Sequence, residues 1–465
     1  MSRILLVSSN TANEPFSVYP LGMACVASAA VSAGHVVEQF DCLEKGEKAV
    51  ELLLARISRF KPDLVGISVR NIDNVDSMAL EDNWYLEKVK QLVQRIKAHD
   101  SAPVVMGGSA FSIMPHRILD YTGADYGIAG EGETALCDLA DELIRGEEPA
   151  RIIYGNDTPI TTTGFSAPLY EKGLADFYLS ESGMLNYQTK RGCPHQCNYC
   201  SYPAIEGSAF RRQEPGFVAE NLKRMEKEHG VDTVFFTDSV FNDSSGHCIQ
   251  VAEEMIRQGC NIRWAAYFRP CSTTEEELAL FKAAGLYAME VGSDAACDTT
   301  LRGINKSFSF EDVLAFNDIS VRQEIPSAHF FMFGGPNETE QTVIQGLENI
   351  DRLTGCAVFA FSGIRILPRT GIREIAVRQG IISETDSLIK PSYYCSPLVD
   401  KQEMETLVTR AFDKRKDRIF PPEKGQARLK ALHLFGFKGL LWDILVSFAG
   451  DRPKKAKGAK HARQI

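Results

Sequence analysis

The chain has 465 residues, 44% hydrophobic and 24% charged, with 61 acidic against 51 basic side chains and a net charge of −10. That length exceeds one ordinary core and predicts two or three domains around a shared substrate pocket. The acidic balance gives no reason to expect a nucleic-acid partner, and neither a signal-peptide core in "MSRILLVSSN" nor an apolar run of membrane-spanning length is visible. A cytoplasmic protein is expected, its twelve cysteines in a reducing compartment where a local cluster means metal or redox chemistry.

Residues 1–145 alternate short β-rich runs with helical patterns. "RILLVSS", "VVEQF", "LVGISV" and "PVVMGG" are separated by amphipathic or small-residue segments such as "GMACVASAAVSAG". This rhythm predicts an α/β fold with a doubly wound, Rossmann-like parallel sheet. Ligands of such sheets sit at the carboxyl ends of the strands. Here those ends read Ser8 to Thr11, Ser68 to Asn71, Gly107 to Ser109 and Gly130 to Glu133: either a cofactor edge or simple turn glycines. Residues 146–183 lose the period, carry prolines and a Thr run, and are expected to be a linker.

A second series fills 184–385. Strands are expected in "MLNYQT", "TVFFTD", "IRWAAYF", "AMEVGS", "SAHFFMFG" and "VFAFSGIRIL", with helices over 216–229, 244–258, 275–284 and 338–353. Six such pairs predict a partial (β/α)6 barrel like part of a TIM barrel, with its chemistry at the carboxyl ends. Residues 386–465 are read as a small, mostly helical region with a basic tail over 452–465. Two readings stand for its apolar part. It packs on the barrel, or Phe435, Phe437, Leu440, Leu441, Trp442 and Leu445 enter a lipid surface while the tail meets anionic headgroups.

The first strand of the second series runs into "RGCPHQCNYCSYP", where Cys193, Cys197 and Cys200 stand within eight residues. Thiolates bind iron–sulfur clusters or zinc. Three thiols on a cubane cluster leave one iron open to a small molecule. The zinc alternative needs His195 or a remote Cys as fourth ligand, and His195 lies inside the first spacer. Gly192 and Pro194 let the loop turn tightly.

This CxxxCxxC loop, with Tyr199 before the last cysteine, resembles the signature of the radical SAM enzymes. "FFTDSVFND", "VGSDAACDTTLRGINKSF", "FFMFGGPNETEQTV" and "IRILPRTGI" are similar, in order, to later strand ends of that family. The resemblance implies a [4Fe-4S] cluster on Cys193, Cys197 and Cys200. It further implies S-adenosylmethionine (SAM) held near Tyr199, Thr237, Asp238, Ser293, Asp294, Arg365 and Pro368. Asp294 stands where the family pattern has Glu, and Ala295 where it has Ser. In the family one electron from the cluster cleaves SAM to methionine and a 5′-deoxyadenosyl radical, and the donor would be of flavodoxin or ferredoxin type.

The N-terminal half, with its Pro-Leu-Gly helix entry, "AGHVVEQFD", "VVMGGSAF" and "GIAGEGETAL", resembles the cobalamin-binding half of cobalamin-dependent radical SAM enzymes. By that resemblance cobalamin lies against Ser8, Asn10, Ser68, Arg70, Asn71, Gly107, Gly108, Ser109, Gly130, Glu131, Gly132 and Glu133. No DxHxxG motif supplies a lower axial histidine, and His35 reads as structural. Arg70 is the candidate non-ligating neighbour of the lower face, against a salt-bridging reading.

The resemblance implies methyl transfer from SAM through cobalamin to an unactivated carbon. A cobalamin-assisted oxidation, cyclisation or ring rearrangement is the alternative, and a cobalamin or redox sensor the non-enzymatic one. A lipid or isoprenoid substrate, met at a membrane through the C-terminal segment, is expected from the loose likeness to lipid-biosynthesis members. Tyr393, Tyr394 and Cys395 are read as loop packing rather than as a substrate mouth. Cys25, Cys137 and Cys356 are read as small buried hydrophobes.

Overall fold

The computed structural model describes residues 1–79 and 84–446. Strands β1 (Arg3–Ser8), β2 (Val36–Asp41), β3 (Leu64–Ser68), β4 (Val104–Gly107), β5 (Tyr126–Ala129) and β6 (Ile152–Tyr154) form one parallel sheet, in the order β2-β1-β3-β4-β5-β6. Chain progression reverses between β1 and β3, which opens a crevice at the carboxyl ends of Ser8 and Ser68. The stretch expected as a linker is structured: β6 extends this sheet beside β5, and residues Lys172–Glu181 form a helix capped by the Glu171 carboxylate.

The second sheet comprises β7 (Leu185–Tyr187), β8 (Thr233–Phe236), β9 (Arg263–Phe268), β10 (Leu286–Asp294), β11 (Ser327–Phe333), β12 (Ala357–Ser362) and β13 (Arg418–Ile419), each parallel to the next in chain order. It has seven strands where the sequence suggested six, because the C-terminal region returns β13 to the outer edge of β12. Lumen-facing positions alternate along each strand. Low in the lumen they are small, Ala265, Ala288, Ala328 and Ala357; above them come Tyr267, Glu290, Phe330 and Phe361.

The alanine floor is filled from below by the C-terminal segment. Leu440, Leu441 and Trp442 are buried in one cluster with those alanines and Phe359, and the Trp442 ring meets Phe359 edge-on at 5.2 Å. Gly439 donates to the Ser182 carbonyl at 2.9 Å, anchoring the segment beside β7. The lipid-anchor reading of these residues is therefore corrected. Burying three such side chains contributes roughly 5–9 kcal/mol, which insertion into a membrane would forfeit. Phe437 and Leu445 pack against the same cluster, and Phe435 alone of the six is freely exposed, at 82%. The tail at 452–465 lies outside the described residues. No helix among the described residues is long and apolar enough to cross a membrane.

The two sheets face each other by their carboxyl edges and are tied across the gap. Arg365 of the barrel donates to Asp73 at 2.9 Å, Arg369 to the Ser112 carbonyl at 2.6 Å, Trp84 Nε1 to the Ile389 carbonyl at 2.9 Å, and Asn156 to the Ile205 carbonyl at 2.8 Å. Tyr393 and Tyr394 pair with Ile364 and Arg365 in a two-stranded ladder, with Tyr394 fully buried on Gln379, so they serve packing. Replacing Trp442 by Ala should cost about 3–5 kcal/mol, seen as a lower denaturant midpoint, while leaving co-sedimentation with anionic liposomes unchanged.

Candidate active site

The cysteine loop is clamped at three points. At its base Lys190–Arg191 pair with Arg211–Arg212 in a short antiparallel ladder, and Cys193 donates its N–H to the Gly207 carbonyl at 3.0 Å. Gly192 has φ +83°, and a Cβ there would lie 2.1 Å from the Ala209 carbonyl oxygen, so only glycine permits this crossing. In mid-loop Asn198 Nδ2 donates to the Gly303 carbonyl at 2.7 Å and Asn305 Nδ2 to the Gln196 carbonyl at 2.6 Å. The Ile372 amide closes the third point on the Asn198 carbonyl at 2.8 Å. Segments of the "GINKS" and "PRTGI" motifs thus hold the loop in place.

Burial, and behind it the neighbouring thiols, pushes the Cys193 and Cys200 thiols upward. Among the described residues no three His, Cys, Asp or Glu side chains converge on a single-ion position. His195 is kept neutral, its pKa lowered to about 4 by burial and then by Arg269 and Lys306.

Beside the loop, Lys306 forms a buried ion pair with Asp294 and holds its ammonium 5.4 Å from the Tyr199 ring centroid. Asp294 occupies the left-handed region at φ +63°, which turns its carboxylate toward Lys306. Of the residues expected at SAM, Tyr199 and Asp294 are thus joined through Lys306 beside the loop, and Thr237 and Pro368 are half-buried. The other residues expected at SAM are engaged with protein partners. Asp238 is fully buried and accepts from the Thr189 amide at 2.6 Å and the Lys190 amide at 3.2 Å; burial pushes its carboxyl up to about 6. Ser293 is fully buried on His329 Nδ1 at 2.8 Å. Arg365 is consumed by Asp73 and by the Ile366 and Leu388 carbonyls.

A cavity of about 710 Å³ runs from the first sheet into the barrel lumen. On the first-sheet side it is bounded by Ser8, Asn10, Ser68, Asn71, Gly107, Gly108, Ser109, Gly130 and Gly132. Asn10 folds back on the Ala12 backbone. The loops after β3 and β4 are zipped together: Val69 N–H donates to Gly107 O at 2.8 Å, Ala110 N–H to Val69 O at 3.0 Å, and Ser109 Oγ to Arg70 O at 3.0 Å. Gly108, at φ +97° with a notional Cβ 2.6 Å from the Val69 carbonyl, allows that approach.

The zipper aims Arg70 into the cavity. Its side chain lines the cavity and keeps exposed surface; burial lowers its pKa, and Tyr267, Tyr178, Tyr202 and Tyr85 oppose that shift. The salt-bridging reading of Arg70 is thereby overturned among the described residues. Glu131 and Glu133 behave in the opposite way. Arg191 pairs with both, and Arg211 donates to Glu131 at 2.7 Å; burial would raise the Glu133 carboxyl, but Arg191 beside it holds it below its ordinary range. They tie the cysteine loop to the first sheet and are not free for a ligand. His35 is buried on the Ser2 amide at 3.2 Å, as expected of a structural residue, and half-buried Cys25 packs against a core cluster while also lining the cavity.

Gly66 and Glu290 are among the lining residues that escaped the sequence reading. Gly66 lies in mid-β3 between Leu6 and Val105 and opens a slot, continued by Val26, Ile128 and Leu136, that a side chain would close: a Cβ would meet Leu6 at 2.8 Å. A glycine inside a strand is itself the signal for close approach. Glu290 of β10 is 7% exposed in the lumen, with no hydrogen bond or ion pair among the described residues, and burial pushes its carboxyl up to about 8. A lone Glu in the apolar run "AMEVGS" was the available sign.

Comparison with known proteins agrees with this arrangement. Residues 8–140 match the B12 binding domain family and residues 187–349 the Radical SAM superfamily. The chain belongs to the cobalamin-dependent radical SAM enzymes. It is 23% identical to the tryptophan 2-C-methyltransferase of Streptomyces laurentii over 98% of this chain and 88% of that one. It is 24% identical to the hopanoid C-3 methylase of Methylococcus capsulatus over 62% of this chain and 54% of that one. Its fold superposes with a TM-score of 0.84 on the radical SAM methyltransferase TsrM of Kitasatospora setae, a structure with tryptophan and a SAM analogue bound, at 22% identity and covering 95% and 97% of the two chains. The cofactors of this enzyme are a [4Fe-4S] cluster, SAM and cobalamin, and the cysteine loop, the Lys306 pair and the glycine-opened slot fit them. Gly66→Val should weaken cobalamin binding at least about tenfold by closing the slot, with iron content unchanged; dialysis against hydroxocobalamin and iron assay measure the two.

Proposed function

We propose that this enzyme transfers a methyl group from SAM, by way of cobalamin, to a carbon of a small molecule held in the barrel lumen. The observation that carries this reading is the single cavity bordered by the first-sheet edge on one side and the lumen on the other, with the Tyr202–Glu206 helix that follows the cysteine loop forming part of its wall. When bound, the cluster, SAM and cobalamin supply a one-electron reductant, a radical or methyl source and a methyl carrier.

The chain's own residues do the rest. Cys193, Cys197 and Cys200 hold the cluster from a loop that cannot swing. Tyr199, Lys306 and Asp294 orient SAM, with Thr237 and Pro368 beside them. Ser8, Ser68, Asn71, Gly107 to Ser109, Gly130 and Gly132 would hold the corrinoid, with Arg70 as its non-ligating neighbour. The place of Arg70 on the cavity wall, with no ion pair among the described residues, supports that role. Aromatic walls keep water from the reacting carbon. An external donor of flavodoxin or ferredoxin type delivers the electron, and twelve free cysteines support a reducing cytoplasm.

A lipid or isoprenoid acceptor is the second reading, favoured by the apolar lumen and by the hopanoid methylase among the relatives. Membrane contact through the C-terminal plug is not part of it, since those side chains are buried.

Reconstituted anaerobically with iron, sulfide and cobalamin, then reduced and given methyl-labelled SAM with an acceptor, the enzyme should release S-adenosylhomocysteine in step with labelled product, and equal 5′-deoxyadenosine where hydrogen abstraction is needed. Deoxyadenosine without S-adenosylhomocysteine would mean a radical reaction with no methyl transfer. Arg70→Ala should alter the cobalamin absorption spectrum and slow methylation about tenfold or more at unchanged iron content.

A further inference from the structure

Glu290 is a carboxyl group with nothing to bind. It projects from β10 into the lumen and is 7% exposed, and neither a hydrogen bond nor an ion pair reaches it among the described residues. Its surroundings are rings. Phe235, Tyr267, Phe330 and Phe361 line the same cavity, and Tyr267 is its register partner on β9. On β11 its register partner is Ala328, which leaves room rather than a donor. Two further polar atoms at this cavity are buried and unpaired: the Asn186 side-chain oxygen and the Trp442 indole N–H.

A fold does not keep a lone carboxyl in an aromatic chamber for stability, because burying an acid without a partner is costly and an apolar residue of similar size would fill the space better. An unpaired acid in a ring-walled cavity is the pattern that recognises an organic cation. The ring faces attract the charge and the carboxylate pairs with it. We infer that the lumen selects an aromatic small molecule bearing a cationic amine, with Glu290 as the residue that receives the amine and the rings as the walls that receive its body. This rests on the reading that the lumen is the acceptor pocket, and it assigns the chemical class of that acceptor.

Burial also leaves the empty Glu290 mostly protonated at neutral pH, its pKa pushed up to about 8. The titratable groups facing it are Tyr267 from β9 and Tyr287 from its own strand. Burial raises both phenols, that of Tyr287 to about 12, so they stay neutral; Arg70 faces Tyr267 from the first sheet. An arriving ammonium therefore drives a proton off Glu290 alone, leaving an ion pair and one proton in solution.

The test uses the intact enzyme, loaded with cluster and cobalamin, with tryptamine as the cationic probe and tryptophol as its neutral counterpart. Equilibrium dialysis at pH 7 should show tryptamine bound about tenfold more tightly. Glu290→Gln, which keeps the shape, should abolish that preference, and Glu290→Asp should retain part of it. Calorimetry of the unmutated enzyme in buffers of differing ionisation enthalpy should show release of about one proton per tryptamine and none for tryptophol. Equal binding of the two probes, a preference that survives Glu290→Gln, or tryptamine binding without proton release would overturn the inference. Because no turnover is involved, amine selectivity in an enzyme that never methylates would uphold this inference and refute the proposed reaction. Methylation of a neutral apolar acceptor without amine selectivity would do the reverse.

Discussion

Arg191 stands two residues before the first cluster cysteine and spends its guanidinium on Glu131 and Glu133 of the other sheet. The side chain is 12% exposed, and its remaining face lies against the Phe165 ring, 5.3 Å from guanidinium to centroid. A buried ion network of this kind gives little net stability, since desolvation offsets much of the attraction, but breaking it leaves a stranded charge and costs about 3–5 kcal/mol. Its effect is positional. It joins the cysteine loop to the turn after β5, while Glu206 of the Tyr202–Glu206 helix accepts from Gln188 and from the Gly192 amide. Of the ties across the gap, this one joins the cysteine loop itself to the first sheet.

Around this joint each sheet supplies what its geometry gives cheaply. The doubly wound sheet offers backbone and glycine at its carboxyl edge, where Gly108 lets the loops after β3 and β4 close on each other and so aims Arg70 inward. The barrel offers a lumen whose side chains alternate by strand pleat, small at the floor and aromatic above. The reacting groups meet where both edges are open, and the buried ties Arg365 to Asp73 and Trp84 to Ile389 hold the edges together at the rim.

The cysteine loop, both sheets and most helices were legible in the sequence because they rest on local signals: a fixed thiol spacing, period-two and period-3.6 patterns, and Gly or Pro at turns. The site was legible only in part. Polar residues at strand ends were visible, but which of them face a ligand depends on partners far away in the chain. Asp238 is taken by the 189–190 backbone, Arg365 by Asp73, and Glu131 and Glu133 by Arg191; none of these pairings leaves a mark in a one-dimensional pattern. Arg70 differs from them only in having no such partner. The seventh barrel strand, two residues long, is below the length at which alternation can be read.

The apolar C-terminus shows the same limit more sharply, because hydrophobicity tells that a segment avoids water and not what covers it. Here the cover is a ring of alanines. Four small side chains around one level of a barrel leave a void, and close-packed interiors do not tolerate voids of that size, so something apolar must enter from the amino-terminal mouth. Leu440, Leu441 and Trp442 do, and the top of that plug is the floor of the cavity. The depth of the lumen, and hence the length of molecule that can stand in it below the cluster, is thus set by residues some 240 positions from the cysteines. Change in the floor, by a larger residue than Ala328 or a smaller one than Trp442, would alter which acceptor fits while leaving the cluster loop and the corrinoid edge untouched. Acceptor size and cofactor chemistry are in this way separable within one chain.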